Sequence, residues 1–178
     1  MKINKNKIET GCSCTLCIAC CNNSCGWFGS IKEVKGAAEI MKMSLGDFAK
    51  EYLIEEYWIG SGKNGDDISV IAPRKDFTRS TNLYVFEDDK KRNGKGFLRA
   101  SWGHNLITGV PCIFLDKNNK CKIHKNKPQE CREGFGCKKG EGEGIKRREE
   151  IAKYWKKHQN FILSVKRAVR RKNDIWME

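Results

Sequence analysis

Long apolar runs are missing from this chain. No stretch approaches the roughly 20 apolar residues that a membrane-spanning helix needs. Met1 to Thr10 is rich in Lys and Asn where a secretory signal would carry an apolar core. A membrane association and an export signal are therefore not expected, and the expected compartment is the cytoplasm, where thiols stay reduced. Nucleotide motifs are missing too. Gly62-Lys63 suggests a phosphate loop, but Tyr57 stands where its leading glycine belongs and Asn64 where Ser or Thr would hold magnesium. No G-x-G-x-x-G follows an expected strand, and there is no clear S-adenosylmethionine loop. Autonomous methyl transfer is not expected, and no complete catalytic motif is found. No helical-solenoid repeat and no second domain are evident. The 178 residues suit one domain, residues 1–178. With 39% hydrophobic and 32% charged residues its core is modest, a situation in which a metal or disulfide staple adds most.

Cysteine and positive charge are what the chain has in plenty. Six of its ten cysteines fall between Cys12 and Cys25, and the other four are Cys112, Cys121, Cys131 and Cys137. In a reducing compartment these read as metal ligands or redox groups before they read as a disulfide framework. Cys14-x2-Cys17 and Cys17-x2-Cys20 have knuckle spacing, which lets two sulfurs face one ion while turn amides donate to them. The adjacent Cys20 and Cys21 project in different directions, so they serve two metals, or one ligates while the other stays a buried thiol. Cys14, Cys17, Cys20 and Cys21 together with Cys112, Cys121, Cys131 and Cys137 supply two four-sulfur sites, which zinc would occupy tetrahedrally. The triad Cys14, Cys17 and Cys20 with one remote cysteine equally suits an iron–sulfur cluster such as [4Fe-4S], and thiolate ligation alone does not separate zinc from iron. A bacterial ferredoxin is excluded, because its fourth cysteine would follow the third by four residues and precede proline. His124, three residues after Cys121, is either a further ligand or a surface residue; His158 is expected to pack on a helix face. The roles of Cys12 and Cys25 stay open.

The fold these patterns predict is α+β: a small single domain with helices, a short antiparallel hairpin and a metal-stapled cysteine core. Ile31 to Met43 has helical spacing of Val34, Ala37, Ala38 and Met41. Ser44 with Asp47 forms a capping box for a second helix expected to run to about Tyr57. Ile68 to Ala72, Leu83 to Phe86 and Phe97 to Trp102 read as strands, and Gly60 to Asp67 and Glu87 to Gly96 as loops. Val110 to Leu115 and Cys121 to Ile123, flanking a polar turn, read as a hairpin. Gly134 to Gly144 is a glycine-rich connector. Ile145 to Lys172 reads as one long basic amphipathic helix with Ile151, Tyr154, Trp155, His158, Ile162, Val165 and Val169 on one face. That segment carries eleven Lys/Arg against two Glu. Its favoured reading is a docked helix with a solvated basic face, and contact with nucleic acid or an acidic protein partner is the secondary one. The formal charge of +13 counts every thiol as neutral, so thiolates would offset part of it.

Cys14-Thr15-Leu16-Cys17-Ile18-Ala19-Cys20-Cys21 resembles the CxxCxxCC signature of the YkgJ-type cysteine-cluster family. Cys112-Ile113-Phe114-Leu115, Cys121-Lys122-Ile123-His124 and Lys127-Pro128-Gln129-Glu130-Cys131-Arg132 resemble its C-x-F-L, C-x-I-Y and R-P-x-x-C-R elements, in order and spacing. The resemblance covers roughly Gly11 to Cys137. It implies a zinc- or iron-chelating domain without a defined biochemical role. A flagellin lysine methylase with an iron–sulfur site carries a similar cysteine pattern, which implies iron–sulfur chemistry and a redox or protein-modification accessory role as the alternative. The chain departs from the family at Ile18 (usually Gly), His124 (Tyr), Lys127 (Arg) and Glu133-Gly134-Phe135 (aromatic-Pro), and Cys12, Cys25 and Cys137 are additional.

Overall fold

The computed structural model describes residues 21, 26–58, 67–79, 97, 109–133 and 141–174, excepting the side chains of 141–144 and 171–174. The first helix, α1 (Ile31–Ile40), starts at Ser30, whose hydroxyl accepts the Glu33 amide at 3.3 Å. It stops because Lys42 takes a left-handed conformation, φ 54°. The Lys42 and Met43 amides then reach back to the Glu39 and Ala38 carbonyls, each at 3.0 Å, which is a Schellman closure. Ser44 caps the next helix as expected, its hydroxyl accepting the Asp47 amide at 3.2 Å, and opens α2 (Leu45–Tyr52).

The second helix ends at Tyr52, five residues earlier than its periodicity predicts, and the chain passes directly into β1 (Leu53–Trp58). Leu53, Ile54, Glu55 and Glu56 are all buried. Four consecutive buried residues suit a strand covered on both faces better than a surface helix with one apolar stripe. Two of these four residues, Glu55 and Glu56, carry carboxylates. Each is matched from another segment: Glu55 accepts the Ser69 hydroxyl at 2.7 Å and the Lys166 ammonium at 2.6 Å, and Glu56 accepts the Trp27 indole N–H. Antiparallel to β1 runs β2 (Ile68–Pro73), in the register Leu53↔Pro73 to Trp58↔Ile68, one residue longer than expected. Helices and one antiparallel two-stranded sheet among the described residues make the fold a small α+β one.

The expected Val110–Ile123 hairpin contracts to one isolated bridge, Leu115↔Cys121. Its first arm has few amides left for such pairing. Pro111 has none, the Cys112 amide donates to the Cys21 carbonyl at 2.7 Å, and the Ile113 amide to the Arg74 carbonyl at 3.0 Å. The turn between the arms forms as read: Asp116 Oδ1 accepts the Asn118 and Lys120 amides, both at 2.8 Å. After Pro128 comes the short α3 (Gln129–Glu133).

At the C-terminal end the expected single helix is two, α4 (Glu141–Lys157) and α5 (Gln159–Asp174). The first of them takes in Gly142 and Gly144, which composition had assigned to the connector. His158 marks the break. Its amide bonds the Trp155 carbonyl and its carbonyl accepts the Phe161 amide, both at 2.9 Å, the tighter spacing of a 3-10 turn. Gln159 Nε2 holds the break against the sheet, donating to Trp155 O at 2.8 Å and Ser69 O at 3.0 Å. The apolar face survives the break: Ile151, Trp155, Ile162, Val165 and Val169 are buried, as expected. Both helices pack on β2, and α5 also on α2. No helix among the described residues is long and apolar enough to cross a membrane. The expected strands at Leu83–Phe86 and Phe97–Trp102 and the loop at Glu87–Gly96 lie outside the described residues, save Phe97, which is buried.

Candidate functional site

The described cysteines, Cys21, Cys112, Cys121 and Cys131, are all thiols and come from four separate segments. Backbone pairing places them. Cys112 faces Lys75 across an antiparallel bridge whose flanking bonds run from Ile113 N to Arg74 O and from Asp76 N to Pro111 O. That makes Lys75 and Cys112 a non-hydrogen-bonded pair, the kind with the closer side chains, and leaves the Cys112 amide to reach Cys21. Arg79 Nη2 donates to the Cys112 carbonyl at 3.3 Å. Three residues on, Leu115 pairs with Cys121.

Cys131 stands on α3, fixed by two sets of contacts. On one side the extended segment 26–30 runs past it. Trp27 N donates to Glu130 Oε2 at 2.8 Å, and Glu130 N to Trp27 O at 3.3 Å. The Gly26 amide is hydrogen-bonded to the Cys131 sulfur. A Cβ at Gly26 would lie 2.6 Å from that sulfur and 2.9 Å from the Cys131 amide nitrogen, so this approach needs glycine. On the other side Glu33 ties α1 to α3. It accepts the Gln129 amide at 3.1 Å, the Gly29 amide at 2.7 Å and the Arg132 guanidinium.

The electrostatics show that the thiols share one neighbourhood. Burial pushes the Cys121 thiol up to about 11; the Cys112 and Asp116 charges add to the rise, while the Ile123 amide and Lys127 ammonium oppose it. Burial pushes Cys131 well above the usual thiol range, and the charges of Cys112, Glu130 and Cys21 push the same way, against the Gly26 amide. Cys112 thus acts on both Cys121 and Cys131, and Cys21 on Cys131. Burial keeps Cys121 and Cys131 protonated; were the thiols to ionise, a nearby cation would offset the repulsion of Cys112 on both and of Cys21 on Cys131. Among the described residues no three His, Cys, Asp or Glu side chains are arranged to hold an ion; the thiols are neighbours without forming a closed cage.

Of the cysteines expected to ligate, the structure thus brings together Cys21, Cys112, Cys121 and Cys131. Cys14, Cys17, Cys20 and Cys137 lie outside the described residues, as do Cys12 and Cys25. His124 sits exposed in the 3-10 turn His124–Asn126. The residues that cysteine spacing did not disclose are Gly26, Glu33 and Lys75. Only Gly26, directly after Cys25, carries a local signal, a glycine beside a cysteine cluster. No family model, no curated protein and no solved structure matches this chain.

Proposed function

We propose that the chain is a metal-binding protein of YkgJ type, holding zinc or iron through thiolates drawn from both sequence clusters. The observation that carries this is Cys112, whose amide is bonded to Cys21 and whose charge bears on Cys121 and Cys131. Those four thiols would form one site. Cys14, Cys17, Cys20 and Cys137 would complete the set of eight. The metal would supply positive charge that holds thiolates together. The chain's own contribution is to bring them from remote segments into a desolvated place and to donate the Gly26 amide to one sulfur. An all-thiolate site is closed, which suits a structural or carrier role rather than an open catalytic position.

Elemental analysis of anaerobically purified protein tests this, with thermal unfolding of Cys17→Ser, Cys131→Ser, Cys12→Ser and Cys25→Ser measured alongside. The expected result is stoichiometric zinc or iron in the wild type, lost in the first two variants together with cooperative unfolding, and kept in the last two. A visible chromophore in the anaerobic protein assigns the iron–sulfur form. Wild-type protein without stoichiometric zinc or iron sinks the reading. If Cys131→Ser keeps full metal while Cys25→Ser loses it, the N-terminal cysteines bind metal alone.

A further inference from the structure

We propose that the outward side of α4 and α5 is a docking surface for the phosphate backbone of duplex nucleic acid, a role independent of the thiols. The cations of these two helices divide into two sets. Those on the flanks are matched: Arg147 pairs with Glu150 at 2.9 Å, Arg148 with Glu130 at 2.6 Å and Lys166 with Glu55 at 2.6 Å. The outward set is Lys146, Lys153, Lys156, Lys157, Arg167 and Arg170, all exposed. None of them has an ion pair to a carboxylate among the described residues. Glu150, the single exposed carboxylate among the described side chains of the two helices, is the one already held by Arg147. From Ile151 to Lys172 the sequence has no Asp or Glu at all.

Helical spacing sets these cations opposite the core. Lys146, Lys153 and Lys157 share the side of α4 away from the buried Ile151 and Trp155, and Arg167 lies on the side of α5 away from Ile162 and Val165. Both helices pack on β2, so each outward side faces away from the sheet, and the tight turn at His158 joins them without an intervening loop. Lys153 with Lys156 and Lys157, and Arg167 with Arg170, are like-charge neighbours at three- and four-residue spacing, an arrangement that destabilises a helix. The helix dipole supports Lys156 and Lys157 at the C-terminal end of α4 and does nothing for Lys153 or Arg167. A face kept for solubility alone intersperses both signs. One of a single sign, held against the stability of its own helices, suits an anionic partner.

Three features select duplex phosphate among anions. The aromatic side chains of these helices pack on one another, Tyr154 against Trp155 and His158, and Trp155 against Phe161. None of them is exposed, so none is free to stack an unpaired base as single-strand binders do. The exposed large apolar side chains, Ile145 and Leu163, stand on different helices and make no apolar centre of the kind a protein interface is built on. The apolar sides of both helices lie in the core, where they cannot enter a lipid surface. What the outward side offers is a row of cations that contacts backbone charge and reads no base.

Fluorescence anisotropy of a labelled DNA duplex, titrated with the full-length chain, tests this. Affinity is expected to fall about 1,000-fold between roughly 50 and 200 mM salt, the loss that six phosphate contacts produce, and to be the same for unrelated duplex sequences. Lys153→Gln, Lys157→Gln and Arg167→Gln combined should weaken binding by about 100-fold or more at roughly 100 mM salt and lower the salt slope by about three. A matched control combines Lys32→Gln, Lys35→Gln and Lys117→Gln, which removes the same net charge from exposed positions elsewhere. It should bind as the wild type does. Equal losses in the two variants would mean attraction by net charge without a docking face, and would overturn the proposal. So would an affinity indifferent to salt. A wild type that ignores the duplex but binds polyglutamate or phosphatidylserine vesicles would overturn it too, in favour of an acidic protein or a lipid surface. Removing like-charge neighbours should leave the outward variant melting no lower than the wild type. If it nevertheless fails to fold, Lys146→Gln with Arg170→Gln replaces it under the same criteria.

Discussion

At Cys131 the surrounding residues decide what the thiol can do. Gly26 is the sharpest case, since a methyl group there would press on both the sulfur and the amide of Cys131. Gly26→Ala is expected to cost on the order of 1–3 kcal/mol, as overpacking does, read as a lower urea midpoint. The raised thiol pKa values make a second prediction, for metal-free protein. A group whose pKa is higher folded than unfolded binds its proton more tightly in the folded state. Its contribution is therefore complete below the ordinary thiol value of 9.0 and lost as pH rises toward about 11, the value of Cys121. The melting temperature of chelator-treated protein should fall across that window. Metal-loaded protein should instead weaken in acid, where protons displace the ion. Cysteine spacing made the grouping of Cys21 with Cys112, Cys121 and Cys131 legible in the sequence. Gly26, Glu33 and Lys75 were not legible, because each is defined by a partner far along the chain, as Glu33 is by Gln129 and Arg132.

Among the elements, local chemistry was readable and tertiary substitution was not. Ser44 and the Asp116 turn act within a few residues of themselves, and their positions follow from residue type. The strand β1 was hidden because Glu55 and Glu56 look solvent-facing until Lys166, Ser69 and Trp27 are brought to them. The α4–α5 break was hidden for a different reason. Trp155 and Ile162 continue one apolar face whether or not a 3-10 turn lies between them, so periodicity carries no trace of the interruption. Trp155 is fully buried and donates its indole N–H to the Phe28 carbonyl at 2.6 Å. Trp155→Ala should cost about 3–5 kcal/mol, whereas Lys156→Ala, on the exposed face, should stay within about 0.5 kcal/mol. Equal losses in chemical denaturation would contradict this packing. Gln159→Ala removes the tie between the break and β2 and should cost about 1 kcal/mol, the net worth of an ordinary hydrogen bond.

Over the whole molecule the segment 26–30 is the common member. Phe28 N donates to Ile71 O at 2.9 Å, Trp27 pairs with Glu130, and the Phe28 carbonyl receives Trp155. Arg148 lies 5.2 Å over the Trp27 ring and bonds Glu130 at 2.6 Å. The sheet, α3 and α4 therefore meet on a strip that directly follows the first cysteine group. If the thiols hold metal as proposed above, chelation should loosen the strip and α3 together while β1, β2 and the C-terminal helices keep their packing. In hydrogen exchange, the amides of Trp27, Glu130 and Arg132 should lose protection before those of Val70 and Val165. Simultaneous loss at all five would show instead that the metal holds the entire fold.

The bond between Trp27 and Glu130 spans 103 residues, and that span is also a delay. At a synthesis rate of roughly 5–20 residues per second, Trp27 emerges on the order of 5–20 s before its partner Glu130. During that interval Cys21 also waits for Cys112, whose amide its carbonyl accepts in the folded chain. If the thiols hold metal as proposed above, loading depends on how fast the ribosome delivers α3 as well as on how tightly the finished site binds.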